Sequence, residues 1–145
     1  MMHDLFLIVN MAGQRIAIPA AEVESVVELE GLTPVPRSAG HVAGLSALRS
    51  RVLTVIDCLA SLELGRVGES GRTEAIVVTT DGHPYALIVD SVEDVIETTG
   101  EVKPVRTSLA AGWCRVGKGI VDAQGDLLLL VDTQALIAGP AAEAA

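Results

Sequence analysis

Twice in this chain an apolar strand, a tight turn, a second strand and an aspartate-capped helix follow one another in the same order. The first copy is Val42 to Leu62, VAGLSALRSRVLTVIDCLASL. Val42-Ala43-Gly44-Leu45 opens it, and Leu48-Arg49-Ser50-Arg51 is turn-like. Val52 to Ile56 is a bounded, β-branched run of the kind that forms a buried strand. Asp57 stands at a helix N-cap position before Cys58-Leu59-Ala60-Ser61-Leu62, and Gly65 is the expected stop. The second copy lies at a constant offset of 75, with Gly119 for Gly44 and Asp132 for Asp57. Leu127 to Val131 stands for Val52 to Ile56. An earlier echo sets Gly13 to Glu28 over Gly82 to Glu97 at an offset of 69, with six of sixteen pairs identical, among them Val23/Val92, Glu24/Glu93 and Val26/Val95. Average residue usage would give only about one or two. The chain therefore predicts two copies of one all-β module.

Composition narrows what such a duplicated fold can be. At 145 residues a single domain, 1–145, is expected, containing two pseudo-repeated subdomains of about 12–64 and 81–138. Half of the residues are apolar and only three are aromatic, so Val, Leu, Ile and Ala must build the core. The net charge of −9 opposes a phosphate backbone, and there is no basic cluster with interleaved aromatics, so nucleic acid is not an expected partner. Cys58 and Cys114 form no CxxC pair and are expected as reduced thiols. No apolar run reaches membrane-spanning length, and Asp4 before the first short apolar run is unlike a signal peptide. The expected compartment is the cytoplasm, without direct membrane insertion.

Along the chain, Leu5 to Met11 and Arg15 to Ile18 predict a hairpin around Ala12-Gly13. Pro19 suits the start of a helical turn through Ala20, Ala21 and Glu22. Val23, Val26 and Val27 have helical spacing but β-branched chemistry, and here helix and strand remain open alternatives. Thr33-Pro34-Val35-Pro36 predicts a rigid extended connector. Gly65 to Arg72 predicts a linker between the copies. Glu74 to Thr80, Asp81-Gly82 and Tyr85 to Val89 predict a second hairpin with a type I′ turn. Ser91 to Thr98 continues that copy, and Thr99 to Gly112 predicts a loop with Trp113 at its end. The last hairpin is Gly119 to Ala123 with Leu127 to Val131. Asp132 then caps Thr133 to Ile137, with Gly139-Pro140 as the stop and Ala141 to Ala145 expected to fray.

Catalytic signatures are missing from the sequence. His3, His41 and His83 are isolated, without an i+4 partner or HExxH context, and no Walker loop or GxSxG elbow occurs. Neither a metal nor a cofactor is expected. The carboxylates Glu22/Glu24 and Asp90/Glu93/Asp94 fit a solvated edge. Three features invite a second reading. Arg49 is either a solvated hairpin arginine or an anchor. Val23, Val92 and Val95 are either core or part of an apolar binding surface. Gly44 marks either a close backbone approach or a bulge.

These residues resemble the CheW-like adaptor domain of bacterial chemotaxis. Phe6-Leu7-Ile8-Val9, Ile16-Ala17-Ile18-Pro19 and Val23-Glu24-Ser25-Val26 are similar to that family's opening segments, and Thr33-Pro34-Val35-Pro36 to its proline connector. Gly44 to Asp57 resembles its most diagnostic stretch, and Val89-Asp90-Ser91-Val92 and Leu129-Leu130-Val131-Asp132 resemble its second half. The departures are Ala47-Leu48-Arg49-Ser50 for the usual tetrad, which has Asn and Gly where Ala47 and Ser50 stand, Thr54 for a proline, and Cys58-Leu59 for Leu-Arg. The resemblance implies two SH3-like five-stranded β-barrels with short helices and a shared hydrophobic core, and no enzymatic activity. It implies a chemotaxis adaptor that couples the cytoplasmic tips of chemoreceptors to the regulatory domain of a CheA-type histidine kinase, peripheral to membrane receptor arrays. It places receptor contacts on Val23, Gly44, Arg49, Val92 and Val95. The altered tetrad keeps open an adaptor of a type IV pilus-like or other kinase pathway with changed receptor binding.

Overall fold

The computed structural model describes residues 4–29, 32–33, 36, 39–48, 50–64, 73–98, 102–105, 109–123 and 125–139. Ten strands carry the fold: β1 Asp4–Met11, β2 Gln14–Pro19, β3 Val23–Leu29, β4 Val42–Leu48, β5 Arg51–Ile56, β6 Thr73–Thr80, β7 His83–Ile88, β8 Ser91–Thr98, β9 Gly117–Ala123 and β10 Asp126–Val131. Three short helices join them: α1 Cys58–Ser61, α2 Ala111–Val116 and α3 Thr133–Ala138.

The strands make two five-stranded sheets, in the orders β8-β1-β2-β10-β9 and β3-β6-β7-β5-β4. Replacing each strand by its sequence echo turns one order into the other. Neither sheet is the work of one copy. The β1–β2 hairpin sits in the sheet that carries β8, β9 and β10, and the β6–β7 hairpin sits in the sheet that carries β3, β4 and β5. The seam in each case is a parallel pairing: Leu130 opposite Ala17, and Val55 opposite Ala86. All other pairings are antiparallel. The copies of about 12–64 and 81–138 are thus units of sequence, while each sheet is assembled from both.

Alternation along the strands divides the apolar residues among three cores. Phe6, Ile8, Ala17, Val121, Leu128 and Leu130 fill the inside of the first sheet. Leu29, Leu53, Val55, Ala75, Val77, Ala86 and Ile88 fill the second. The opposite faces, with Leu7, Val9, Ile16, Ile18, Ile56, Ile76, Val78 and Leu87, meet in a third cluster between the sheets, capped by Trp113, Val116 and Leu136 from the helices. The all-β class, the paired five-stranded units and the shared core are as the resemblance implies.

Local chemistry explains the turns. Asp81-Gly82 and Ala12-Gly13 both hold two successive positive φ angles, 52° and 79° and 53° and 78°, the type I′ geometry that matches strand twist. Each sheet's free edge is drawn round by one isolated bridge, Thr33 to Leu45 and Lys103 to Ile120. Gly44 and Gly119 stand beside these bridges, opposite Val55 and Leu130, where β4 and β9 both bulge. A Cβ on Gly119 would lie 2.4 Å from Val102 Cγ1 and 2.8 Å from the Lys103 carbonyl oxygen. The glycine is what lets the closing segment approach.

Two expectations change, at the end of α1 and at α2, and one open alternative resolves. The helix expected to run to Gly65 stops at Ser61: Leu62 closes it and Glu63 takes φ 61°, while Gly65 itself lies outside the described residues. Residues 20–22 form a 3-10 turn and β3 follows at Val23, so the β-branched residues resolve as strand. The loop expected through Gly112 gives way to α2, which contains Gly112 and Trp113. Ala110 supplies no side-chain cap, so α2 leaves no start signal; its packing makes it. A Cβ on Gly112 would lie 2.0 Å from the Leu62 carbonyl oxygen, so this glycine serves close packing of α2 on the end of α1. The expected linker 65–72, residues 34 and 35 of the proline connector and the tail 141–145 lie outside the described residues.

Candidate functional site

Register turns the singled-out valines toward the cluster between the sheets. Val23 pairs with Val78 and Val92 with Val9. Cross-strand partners share a face, and Val78 and Val9 belong to the cluster between the sheets. Val23 and Val92 are half-buried and pack against that cluster from two edge strands, β3 and β8. Val95, opposite Leu7, continues the stripe on β8 and is 49% exposed. Its echo Val26, opposite Ile76, does the same on β3 and is 42% exposed. Val26 was not among the expected contacts. The 69-residue offset that pairs it with Val95 is the signal that finds it.

Between the valines of each stripe a β-bulge leaves one residue unpaired, Glu24 in β3 and Glu93 in β8. Both carboxylates are tied down by echoed partners. Thr79 Oγ1 donates to Glu24 Oε1 at 2.8 Å, and Asn10 Nδ2 donates to Glu93 Oε2 at 2.8 Å. Their arginines differ. Glu24 pairs with Arg51, the first residue of β5. The echo of Arg51 is Asp126, so the other end needs a cation from elsewhere. Arg15 supplies it, 3.1 Å from Glu93 Oε2 and 3.2 Å from Asp126 Oδ2. The Arg51 hydrogen bond, helped by Thr79, holds the Glu24 carboxyl below the usual carboxylate range. The arginines are held more firmly protonated, Arg15 by Asp126 and Glu93, Arg51 by Glu24.

Arg49 lies outside the described residues. Its flanks are placed: β4 ends at Leu48, and Arg51 reaches Glu24 beside Val23. Gly44 is buried in β4, the far edge of the second sheet from β3, with φ 150° at its bulge. The structure therefore puts Val23 on the β3 edge and Val92 and Val95 on the β8 edge, and places Gly44 at the bulge of β4.

An open cleft of about 480 Å³ lies beside Val23, lined by Ala21, Glu22, Val23, Glu24, Val78, Thr79, Thr80, Thr133 and Gln134. Glu22 closes one side, its Oε1 accepting from Thr133 Oγ1 at 2.9 Å. Arg115 joins the two halves, donating to the carbonyls of Ser61 and Ala135. Burial lowers the Arg115 pKa, with Glu63 opposing. Among the described residues no group of three or more His, Cys, Asp or Glu side chains is placed to hold a metal. No helix among them is long and apolar enough to cross a membrane.

Two interlocked five-stranded sheets, each with valines along one edge strand, make up the fold. The chain belongs to the CheW-like domain family, which it matches over residues 5–141. It is 28% identical over 124 residues to the chemotaxis protein CheW of Thermotoga maritima, covering 86% of this chain and 81% of that protein. It is 28% identical over 127 residues to a probable chemotaxis protein CheW of Rhizobium etli, covering 85% and 82%. The fold is similar to that of the scaffolding protein TtCheW from Thermoanaerobacter tengcongensis, with a TM-score of 0.78, 23% identity and coverage of 94% of this chain and 88% of that one.

Proposed function

We propose that the chain is a chemotaxis adaptor that couples the cytoplasmic tip of a chemoreceptor to the regulatory domain of a CheA-type histidine kinase. The observation that carries this reading is a pair of apolar stripes, Val23 on β3 and Val92 with Val95 on β8, each packed on the core between the sheets and open at an edge strand. An amphipathic helical tip laid on such a stripe buries apolar surface without rearranging the fold. Arg49, two residues before Arg51 in the sequence, anchors that tip, and Gly44 shapes the bulge of β4. Family membership supports a scaffold role, and the named relatives are chemotaxis proteins. The tetrad Ala47-Leu48-Arg49-Ser50 favours a second reading, an adaptor of a pilus-like or other kinase pathway whose receptor contact has changed.

The test is a pair of titrations, one with a receptor signalling-tip fragment and one with a CheA regulatory domain. Binding of both supports the adaptor. Binding of the kinase domain alone selects the second reading, and binding of neither overturns both. The kinase contact is expected to be largely apolar and to weaken little as salt rises. A steep loss of kinase binding with salt would show a charge-driven interface instead.

A further inference from the structure

The duplication supplies an internal comparison for the cleft beside Val23. Its echo, beside Val92, is built from equivalent positions of the other half, so any group present at one and missing at the other reflects divergence of that one site. Along the lining, Thr79 becomes Asn10, Thr80 becomes Met11, Gln134 becomes Leu59 and Ala21 becomes Asp90, whose Oδ2 accepts from the Gly13 backbone N–H at 2.8 Å. Glu22 becomes Ser91, Thr133 becomes Cys58 and Lys118 becomes Ala43. At these last three positions the Val92 side has a small hydroxyl, a buried thiol and a methyl group, with no charge among the three. The Val23 side has a carboxylate held in place: Thr133, only 3% exposed, donates its hydroxyl proton to Glu22 Oε1 at 2.9 Å.

That carboxylate has capacity to spare. Its Oε2 reaches Lys118 Nζ at 3.8 Å, an ion contact too long for a hydrogen bond. Glu24, the cleft's other carboxylate, is already occupied by Arg51 and Thr79. Among the described residues no basic side chain lines the cleft, and its apolar lining is Ala21, Val23 and Val78. An apolar lining with a fixed carboxylate beside it fits a side chain that has an aliphatic stem and a cationic head.

We propose that the cleft beside Val23 receives a lysine or arginine side chain from the helical tip that docks on the valine stripe, with Glu22 as its acceptor and Thr133 as the residue that aims Glu22. This rests on the reading that a helical receptor tip occupies the stripe. Lys118 is the internal competitor for Glu22, displaced when the partner's cation arrives. Because Ser91 stands at the echo of Glu22 and Asp90 accepts from Gly13 instead, Glu22 also distinguishes the β3 stripe from its β8 echo.

The probes are a receptor signalling-tip fragment and the same fragment with its exposed lysines and arginines changed to glutamine. Each is titrated against wild type, Glu22→Gln and Lys118→Ala. With the basic fragment, Glu22→Gln should bind roughly five- to tenfold more weakly, through loss of a charge-assisted hydrogen bond at a partly exposed site. Lys118→Ala should bind roughly two- to threefold more tightly, since removing a competitor frees Glu22. With the neutralised fragment, the three proteins should bind alike. A merely structural Glu22 gives no tightening in Lys118→Ala and equal losses with both fragments, and either result overturns the proposal. Should Glu22→Gln melt well below wild type, the Lys118→Ala arm decides alone. If wild type binds neither fragment, the receptor-adaptor reading fails and takes this inference with it. Binding of both fragments with no effect of either mutation removes only the inference.

Discussion

Glu24 and Glu93 occupy the same bulge in two halves of one chain, yet one is held by an arginine from β5 and the other by an arginine from β2. Identity at an echoed position therefore does not carry its partner along. Arg49 precedes Arg51 by two residues in the sequence, and its two readings separate cleanly. If it only solvates the turn, Arg49→Ala changes stability by no more than about 0.5 kcal/mol and leaves receptor binding alone. If it anchors the tip, as expected here, Arg49→Ala loses roughly 1–3 kcal/mol of receptor binding with kinase binding intact. Arg49→Lys should not fully rescue, because a planar fork and a point charge make different contacts. Titration of both variants against each partner, at matched melting temperatures, decides. The two thiols offer a second residue-scale test. Cys58 is buried and Cys114 is exposed. Burial, with Asp57 and Asp90 nearby, pushes the Cys58 thiol far above its ordinary value, so it stays protonated in the folded state. An unfolded thiol ionises near pH ~8.5, so above that value the unfolded chain is favoured and Cys58 lowers stability as pH rises. A thiol reagent at neutral pH should label Cys114 rapidly and Cys58 only on unfolding. Equal rates at both sites would contradict the buried placement.

The short helices are the elements in which propensity and packing disagree most. In an exposed helix, replacing glycine by alanine stabilises by about 1 kcal/mol. At Gly112 the sign should reverse: a Cβ there meets backbone atoms of Leu62, so Gly112→Ala should cost about 1–3 kcal/mol, read as a lower melting temperature. A rise in melting temperature would show that α2 and α1 are not in close contact. This is also why α2 was illegible in the sequence. Its glycine argues against helix locally, Ala110 caps nothing, and only the distant Leu62 explains the choice. The strands were legible because alternation and β-branching carry their own signal, and the caps at Asp57 and Asp132 because the side chains bond within their own turns, to Ala60 and Gln134. Of the candidate site, Val23, Val92 and Val95 were legible through their echo. Glu22 with Thr133 was not, because the two are brought together across 111 positions by a sheet that takes strands from both halves.

The whole molecule is held together by exchange. Each half places its first hairpin in the other half's sheet, and the core between the sheets draws on both. Neither half has a complete sheet by itself. The chain should therefore melt in one transition, the same whether followed at Trp113 or by far-ultraviolet circular dichroism. A chain cut within residues 65–72 should give two pieces that are unfolded separately and regain the native spectrum when mixed. Independent folding of either piece, or two separate melting steps, would show that the subdomains stand alone.

Two identical polypeptides interlocked by that exchange would form an assembly of equal halves, and any mutation would be written into both grooves at once. Joining the halves in a single chain removes that coupling. One groove can then acquire a pinned glutamate while its twin keeps a serine and a cysteine, and a scaffold with two alike faces becomes one with a front and a back.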